Sequence, residues 1–122
     1  MRAETLMAGS TGAMDAKLMT SGEDMERAVT ATGTVQADAY LLKAGFTEVT
    51  TSAAGAGARL PANTTPGDEF WVVNKGANAC LVYPPVGGAI DLGATDAAMS
   101  VASAANGLFK AITSLIWAAI VA

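Results

Sequence analysis

Few residues of this chain have the type and spacing that catalysis or cofactor binding requires. The adjacent carboxylates Asp68 and Glu69 would suit acid–base chemistry, but neighbouring residues of a strand point to opposite faces. The Gly-Ala-Gly run at 55–57 begins like a dinucleotide-binding loop. It lacks the third glycine, and Arg-Leu-Pro at 59–61 follows where that fingerprint requires a helix. We therefore expect a solvated turn at 68–69 and a flexible connector at 55–57.

Metal and thiol chemistry are similarly unsupported. The chain has no His and one Cys, so it lacks the partners of a zinc site, a Ser-His-Asp triad or an internal disulfide. Asp91 and Asp96 flank a turn without the ligand spacing of a calcium loop. Cys80 lies in an apolar segment, which predicts a buried, inert thiol and leaves a disulfide between subunits as the alternative. The sequence therefore predicts a protein that is not an enzyme, with no catalytic residue, metal site or cofactor.

Charge and hydropathy exclude two further classes of partner. The chain carries 11 acidic and 7 basic residues, a net charge of −4, and so lacks the basic surface of a nucleic-acid binder. Its most apolar stretch, residues 112–122, is shorter than the roughly 20 residues of a membrane span, and Thr113 and Ser114 interrupt it. No continuous apolar run follows Arg2, so we also expect no cleaved signal peptide.

The sequence changes character near residue 33. All seven aromatic residues and all four prolines come after this point, whereas five of the six Met residues come before it. We therefore predict an N-terminal arm over 1–33 and a packed domain over 34–122.

The arm has short helical patterns separated by glycine. Met14 and Leu18 are four residues apart, as are Met25 and Val29, which predicts short helices over roughly 13–19 and 22–29. Helices of this length are marginal in water, so we expect these four apolar residues to become ordered against a partner.

The domain has the pattern of an all-β protein. Nine short segments rich in β-branched or apolar residues recur at intervals of roughly 8–12 residues, with Pro, Gly and Asn between them. This spacing predicts an antiparallel β-sandwich or jelly-roll-like barrel, which the extended, partly helical arm precedes. The Ala-rich stretch at 94–105 leaves a helix as the alternative there. The predicted strands are 34–42, 46–51, 58–61, 69–74, 79–83, 89–92, 97–102, 107–112 and 115–121.

Two of these strands indicate self-association. The segment at 69–74 is apolar on both faces, and the C-terminal strand is unusually apolar throughout. Much of the hydrophobic fraction of 52% is Ala, which supplies little burial per residue. We therefore predict a homo-oligomer, a trimer first of all. Its interface residues would be Trp71, Ile116, Trp117 and Ile120.

An ordered series of short motifs carries a resemblance to a known group of proteins. The series is Ala58–Pro61, Gly67-Asp68, the hairpin-like Val72–Ala79 and Leu81–Ile90, followed by Phe109 and a strand with Trp117. It resembles small β-rich virion proteins that the structural gene clusters of tailed bacteriophages encode. Leu115 and Ile116 depart from that pattern, because polar residues are more usual before the Trp.

This resemblance implies a structural component of a virion. The function it implies first is that of a capsid decoration, or cement, protein. Such a protein would sit on the capsid exterior as an oligomer, with the major capsid protein as its partner, and would stabilise the shell. The alternative is a tail or neck fibre or spike module involved in attachment. A secreted β-domain unrelated to viruses is the third interpretation that remains open.

Overall fold

The structure, a computed structural model, describes residues 24–122, and this part of the chain is almost entirely β. It contains ten strands and one short 3-10 helix, Gln36–Asp38. The all-β prediction is therefore confirmed. The strands are β1 Met25–Thr30, β2 Tyr40–Leu41, β3 Phe46–Thr51, β4 Gly57–Arg59, β5 Glu69–Asn74, β6 Cys80–Tyr83, β7 Ala89–Ile90, β8 Met99–Val101, β9 Asn106–Ala111 and β10 Ile116–Val121.

The strands form two sheets, and the chain alternates between them. The six-stranded sheet has the order β1-β3-β5-β9-β10-β7, and the four-stranded sheet has the order β2-β4-β6-β8. Each strand from β1 to β8 is followed by a strand of the other sheet. The chain thus winds in coils, with β1, β3 and β5 stacked on one side and β2, β4 and β6 on the other.

This winding corrects the prediction of an antiparallel sandwich or jelly roll. Five of the eight strand pairs in residues 24–122 are parallel, so both the arrangement and its mixed sheets are solenoid-like. The physical reason is that turn residues show where the chain bends, not which sheet the next strand joins. The segment at 75–78, for example, has hairpin composition but carries the chain from one sheet to the other. Only β9 and β10 form the antiparallel hairpin that the turn at 113–114 predicts.

The core lies between the two sheets. Phe109 and Trp117 from the larger sheet are fully buried, as are Cys80 and Val82 from the smaller one. Phe70 packs edge-on against Trp117, with ring centroids 5.7 Å apart. Buried positions alternate with more exposed ones along β9 and at the start of β10, as expected for strands covered on one face.

The helix predicted over 22–29 is wrong for the part that the structure describes. Residues 25–30 form β1, an edge strand parallel to β3, and its register shifts between Glu26 and Val29. Ala28 has φ of 57°, the left-handed conformation that accompanies a bulge. A four-residue apolar spacing fits one face of a strand as well as one face of a helix, and the bulge then separates Met25 and Val29 onto opposite faces. The bulge leaves Met25 exposed and brings Val29 into the core.

Two other predictions about local structure have clear outcomes. The Ala-rich stretch at 94–105 contains the strand β8 between turns, so the helical alternative is wrong. The predicted helix over 13–19, with Met14 and Leu18, lies outside the described residues. Residues 25–30, assigned to the arm from the sequence, are part of the six-stranded sheet.

A buried asparagine holds one corner where the coils turn. Asn74 is fully buried, and its Nδ2 donates to the carbonyl oxygens of Asn78 at 2.8 Å and Val101 at 2.9 Å. Its Oδ1 accepts from the backbone N–H of Gly76 at 2.9 Å. Asn78 in turn donates to the carbonyl of Ser52 in the preceding coil. These bonds satisfy backbone groups that a bend between sheets would otherwise leave unpaired.

A carboxylate with two cationic partners joins β1, β3 and the residue that follows β5. Glu48 on β3 lies 2.8 Å from Lys75 Nζ and 3.2 Å from Arg27 Nε. The hydrogen bond from Lys75, and then that from Arg27, holds the pKa of Glu48 below its ordinary value. Because the pKa is lower in the folded than in the unfolded chain, the ionised carboxylate favours folding.

We therefore expect acid to destabilise the fold in part through Glu48. The contribution is complete above the unfolded pKa of about 4.3 and is lost as the pH falls through the lower, folded pKa. Glu48→Gln should lower the free energy of unfolding at pH 7 and flatten its decline between pH 5 and pH 3. Urea unfolding of both proteins at several pH values measures this, and parallel pH profiles would contradict it.

Candidate interaction surface

The strand registers place five large apolar side chains in one row on the outer face of the six-stranded sheet. Met25 pairs with Phe46, Phe46 with Trp71, Trp71 with Leu108, and Leu108 with Ile120. Residues directly opposite on neighbouring strands share a face of the sheet. The row therefore crosses β1, β3, β5, β9 and β10 without interruption, and we call these five residues the apolar stripe.

The apolar stripe faces away from the chain's own core. Trp71 is 40% exposed, Met25 44% and Ile120 71%, whereas Phe46 and Leu108 are partly buried. Neighbouring strands lie about 4.8 Å apart, so the stripe is about 19 Å long. Scattered apolar residues on a surface need no explanation, but a contiguous row of this length is typical of a face that another protein covers.

Charged side chains flank the apolar stripe on both sides. Two residues away from Trp71 and Leu108, toward one end of their strands, lies the ion pair of Lys110 and Glu69. Its Nζ–Oε2 distance is 3.4 Å. Toward the other end lies the cluster of Glu48 with Lys75 and Arg27. An apolar centre with a polar, charged rim is the usual anatomy of a protein–protein interface.

The residues predicted for the oligomer interface divide between surface and core. Trp71 and Ile120 belong to the apolar stripe, and Ile116 is 40% exposed on the same face, paired with Ala89 at the end of β10. Trp117 is the exception, because its own chain encloses it completely. The prediction that Trp117 contacts another subunit is therefore corrected. Successive strand residues alternate between faces, so Ile116 and Trp117 cannot share a role.

Of the residues predicted to contact a capsid partner, the structure describes two. Met25 is exposed and forms one end of the apolar stripe. Val29 is 7% exposed and packs in the core, so its prediction as a partner contact is corrected by the bulge in β1. Met14 and Leu18 lie outside the described residues.

Sequence reasoning missed Phe46 and Leu108. Each lies in a correctly predicted strand, but only the register of the sheet shows that they align with Trp71. The alternation of exposed and buried residues along β9 could have identified Leu108 as outward-facing. No sequence signal gives the parallel pairing that brings Phe46 beside Trp71.

The groups considered for catalysis have structural roles. Gly55 adopts a positive φ of 81°, and a Cβ at Gly57 would collide with the carbonyl oxygen of Leu81 in the next coil. The Gly-Ala-Gly run therefore serves close stacking of coils. Cys80 is fully buried, and burial raises the pKa of its thiol to about 11, so it stays protonated near neutral pH.

Outside the apolar stripe, the described residues offer little that could bind a metal ion or a ligand. Across residues 24–122, no group of three or more Cys, Asp or Glu side chains is arranged to hold a metal ion. A groove of about 450 Å³ on the four-stranded sheet is lined by apolar residues with Arg59 and Asn63. In the same part of the chain, no helix is long and apolar enough to cross a membrane. The apolar stripe is thus the best-developed candidate for function.

Comparison with known proteins identifies no relative: no family, no curated protein and no solved structure matches this chain.

Proposed function

We propose that this chain is a structural virion protein, specifically a capsid decoration or cement protein of a tailed bacteriophage. It attaches to the outer capsid surface as an oligomer and stabilises the shell, and the major capsid protein is its partner. The observation that carries the proposal is the apolar stripe, an exposed row of five apolar side chains between two charged borders. The motif series from Ala58 to Trp117 supplies the link to virion proteins.

The physical basis of such a function is avidity. An oligomer presents several copies of a modest contact, so that binding of the first raises the effective concentration of the others. A rigid β-domain that associates through one face leaves its remaining surface available for the shell. The net charge of −4 suits a position outside the shell, away from packaged DNA.

The solenoid-like winding supports a second candidate, a module of a tail or neck fibre or spike. Coils stack along one axis, and stacked repeats suit elongated assemblies. The two candidates differ in copy number. A decoration protein is present in hundreds of copies per particle, whereas a fibre module is present in about a dozen or fewer, so a stained gel of purified particles separates them.

Removal of residues 1–23 tests the decoration proposal. The truncation stops before β1, because residues 25–30 belong to the six-stranded sheet and their loss would damage the fold. We expect the shortened chain to keep its circular dichroism and unfolding midpoint but to lose at least tenfold in affinity for capsids. Co-sedimentation with capsids that lack the protein measures the affinity.

The matched control is the double substitution Met14→Ser and Leu18→Ser in the full chain, which removes only the predicted apolar contacts. It should reproduce most of the loss in affinity. Undiminished binding of the truncated chain to capsids would contradict the role of the N-terminal segment.

A further inference from the structure

We infer that the apolar stripe is covered by the same stripe of a second copy, through a two-fold axis parallel to the strands between β5 and β9. This inference rests on the proposed function only in assuming that the chain acts as an oligomer. The position of the axis follows from the sheet order, since β5 and β9 are the two central strands of six. Rotation about this axis places β5 over β9 of the second copy and β3 over its β10.

The two-fold arrangement pairs four of the five apolar side chains of the stripe. Trp71 and Leu108 are register partners and therefore lie at the same height along the axis. Phe46 and Ile120 lie at that height too, one strand further out on either side. The rotation sets Trp71 against Leu108 of the second copy and Phe46 against its Ile120. Each of these four side chains thus meets another apolar residue, in the aligned packing common between sheets.

The charges beside the stripe favour the same arrangement. Glu69 on β5 and Lys110 on β9 are register partners on the outer face, so they too lie at equal distance from the axis. The two-fold rotation therefore places each Lys110 against Glu69 of the second copy. A face that carries opposite charges at symmetric positions is complementary to itself, which is what an isologous interface requires.

The trimer predicted from the sequence has no such pairing. A three-fold contact joins two different surfaces of each subunit, so the symmetric positions of Glu69 and Lys110 about the sheet centre would not bring them together. The pattern of this face thus assigns a dimer.

Charge reversal at the two positions tests the arrangement. Lys110→Glu alone leaves two acidic residues on the face, and Glu69→Lys alone leaves two basic ones. Each variant should dimerise at least tenfold more weakly than the wild type in sedimentation equilibrium, because like charges then meet across the axis. An equimolar mixture should recover dimers, since residue 110 of one variant then opposes residue 69 of the other with opposite sign.

The mixture separates contacts between chains from contacts within one chain. Within each variant, residues 69 and 110 of one chain carry like charges whether or not the other variant is present. Recovery of dimers on mixing therefore reports only the contact between two chains. No recovery, a trimeric mass, or a monomeric wild type at 100 µM would overturn the two-fold interface. A monomeric chain that still binds capsids would overturn this inference and leave the proposed function standing.

Discussion

Trp117→Ala should lower the free energy of unfolding by about 3–5 kcal/mol, the usual cost of truncating a large buried aromatic side chain. Trp117 is fully buried and packs edge-on against Phe70 between the two sheets. Because a domain of this size is stable by only about 5–15 kcal/mol, the variant should be marginally folded at 37 °C. Urea unfolding followed by circular dichroism, at one protein concentration throughout, measures the difference.

The neighbouring residue provides the control for this prediction. Ile116 is 40% exposed and lies on the opposite face, so Ile116→Ala should cost less than about 1 kcal/mol. Trp117→Phe keeps an aromatic ring in the core, and Trp117 Nε1 has no hydrogen-bond partner among the described residues, so this variant should fall between the two. Equal stability of Trp117→Ala and Ile116→Ala would contradict the placement of Trp117 in the core.

The sequence predicts the strands of this fold well because strand signals are local. Prolines, glycines and asparagines end the apolar segments, and every strand from β3 to β10 overlaps a predicted segment. Chain topology is not local. The connection at 75–78 has the composition of a hairpin turn, yet it leads to the other sheet. There the buried side chain of Asn74 donates hydrogen bonds to the backbone carbonyls of Asn78 and Val101. Parallel pairing of β3 with β5 depends on such corners, which composition does not reveal.

For the apolar stripe too, the sequence predicts single residues but not how the strands align them. An apolar strand at 69–74 with outward-facing Trp71 already indicates a covered face, and Ile120 follows from the apolar C-terminus. The alignment of these residues with Phe46 and Leu108 requires the register of five strands. The helical interpretation of β1 failed because a four-residue apolar spacing fits one face of a strand as well as one face of a helix. The bulge at Ala28 then places Met25 and Val29 on opposite faces, which the spacing does not reveal.

Trp71→Asp should abolish self-association while leaving the fold intact. Trp71 lies at the centre of the apolar stripe, and central aromatic residues carry most of the binding energy in protein interfaces. A buried carboxylate without a partner at that position adds a desolvation penalty. We expect the dimer dissociation constant to rise at least a hundredfold, a loss of about 3 kcal/mol. The unfolding midpoint at low protein concentration should fall only modestly, since the side chain is 40% exposed in the single chain and lies outside the core.

Leu92→Asp is the matched control, because Leu92 is a fully exposed apolar residue in the turn after β7 and lies off the stripe. Sedimentation equilibrium of the full chain and both variants from 1 to 100 µM is the most direct test that this sheet face joins two copies. We expect twice the monomer mass for the wild type and Leu92→Asp, and the monomer mass for Trp71→Asp. The same mass for all three proteins across this range would contradict it.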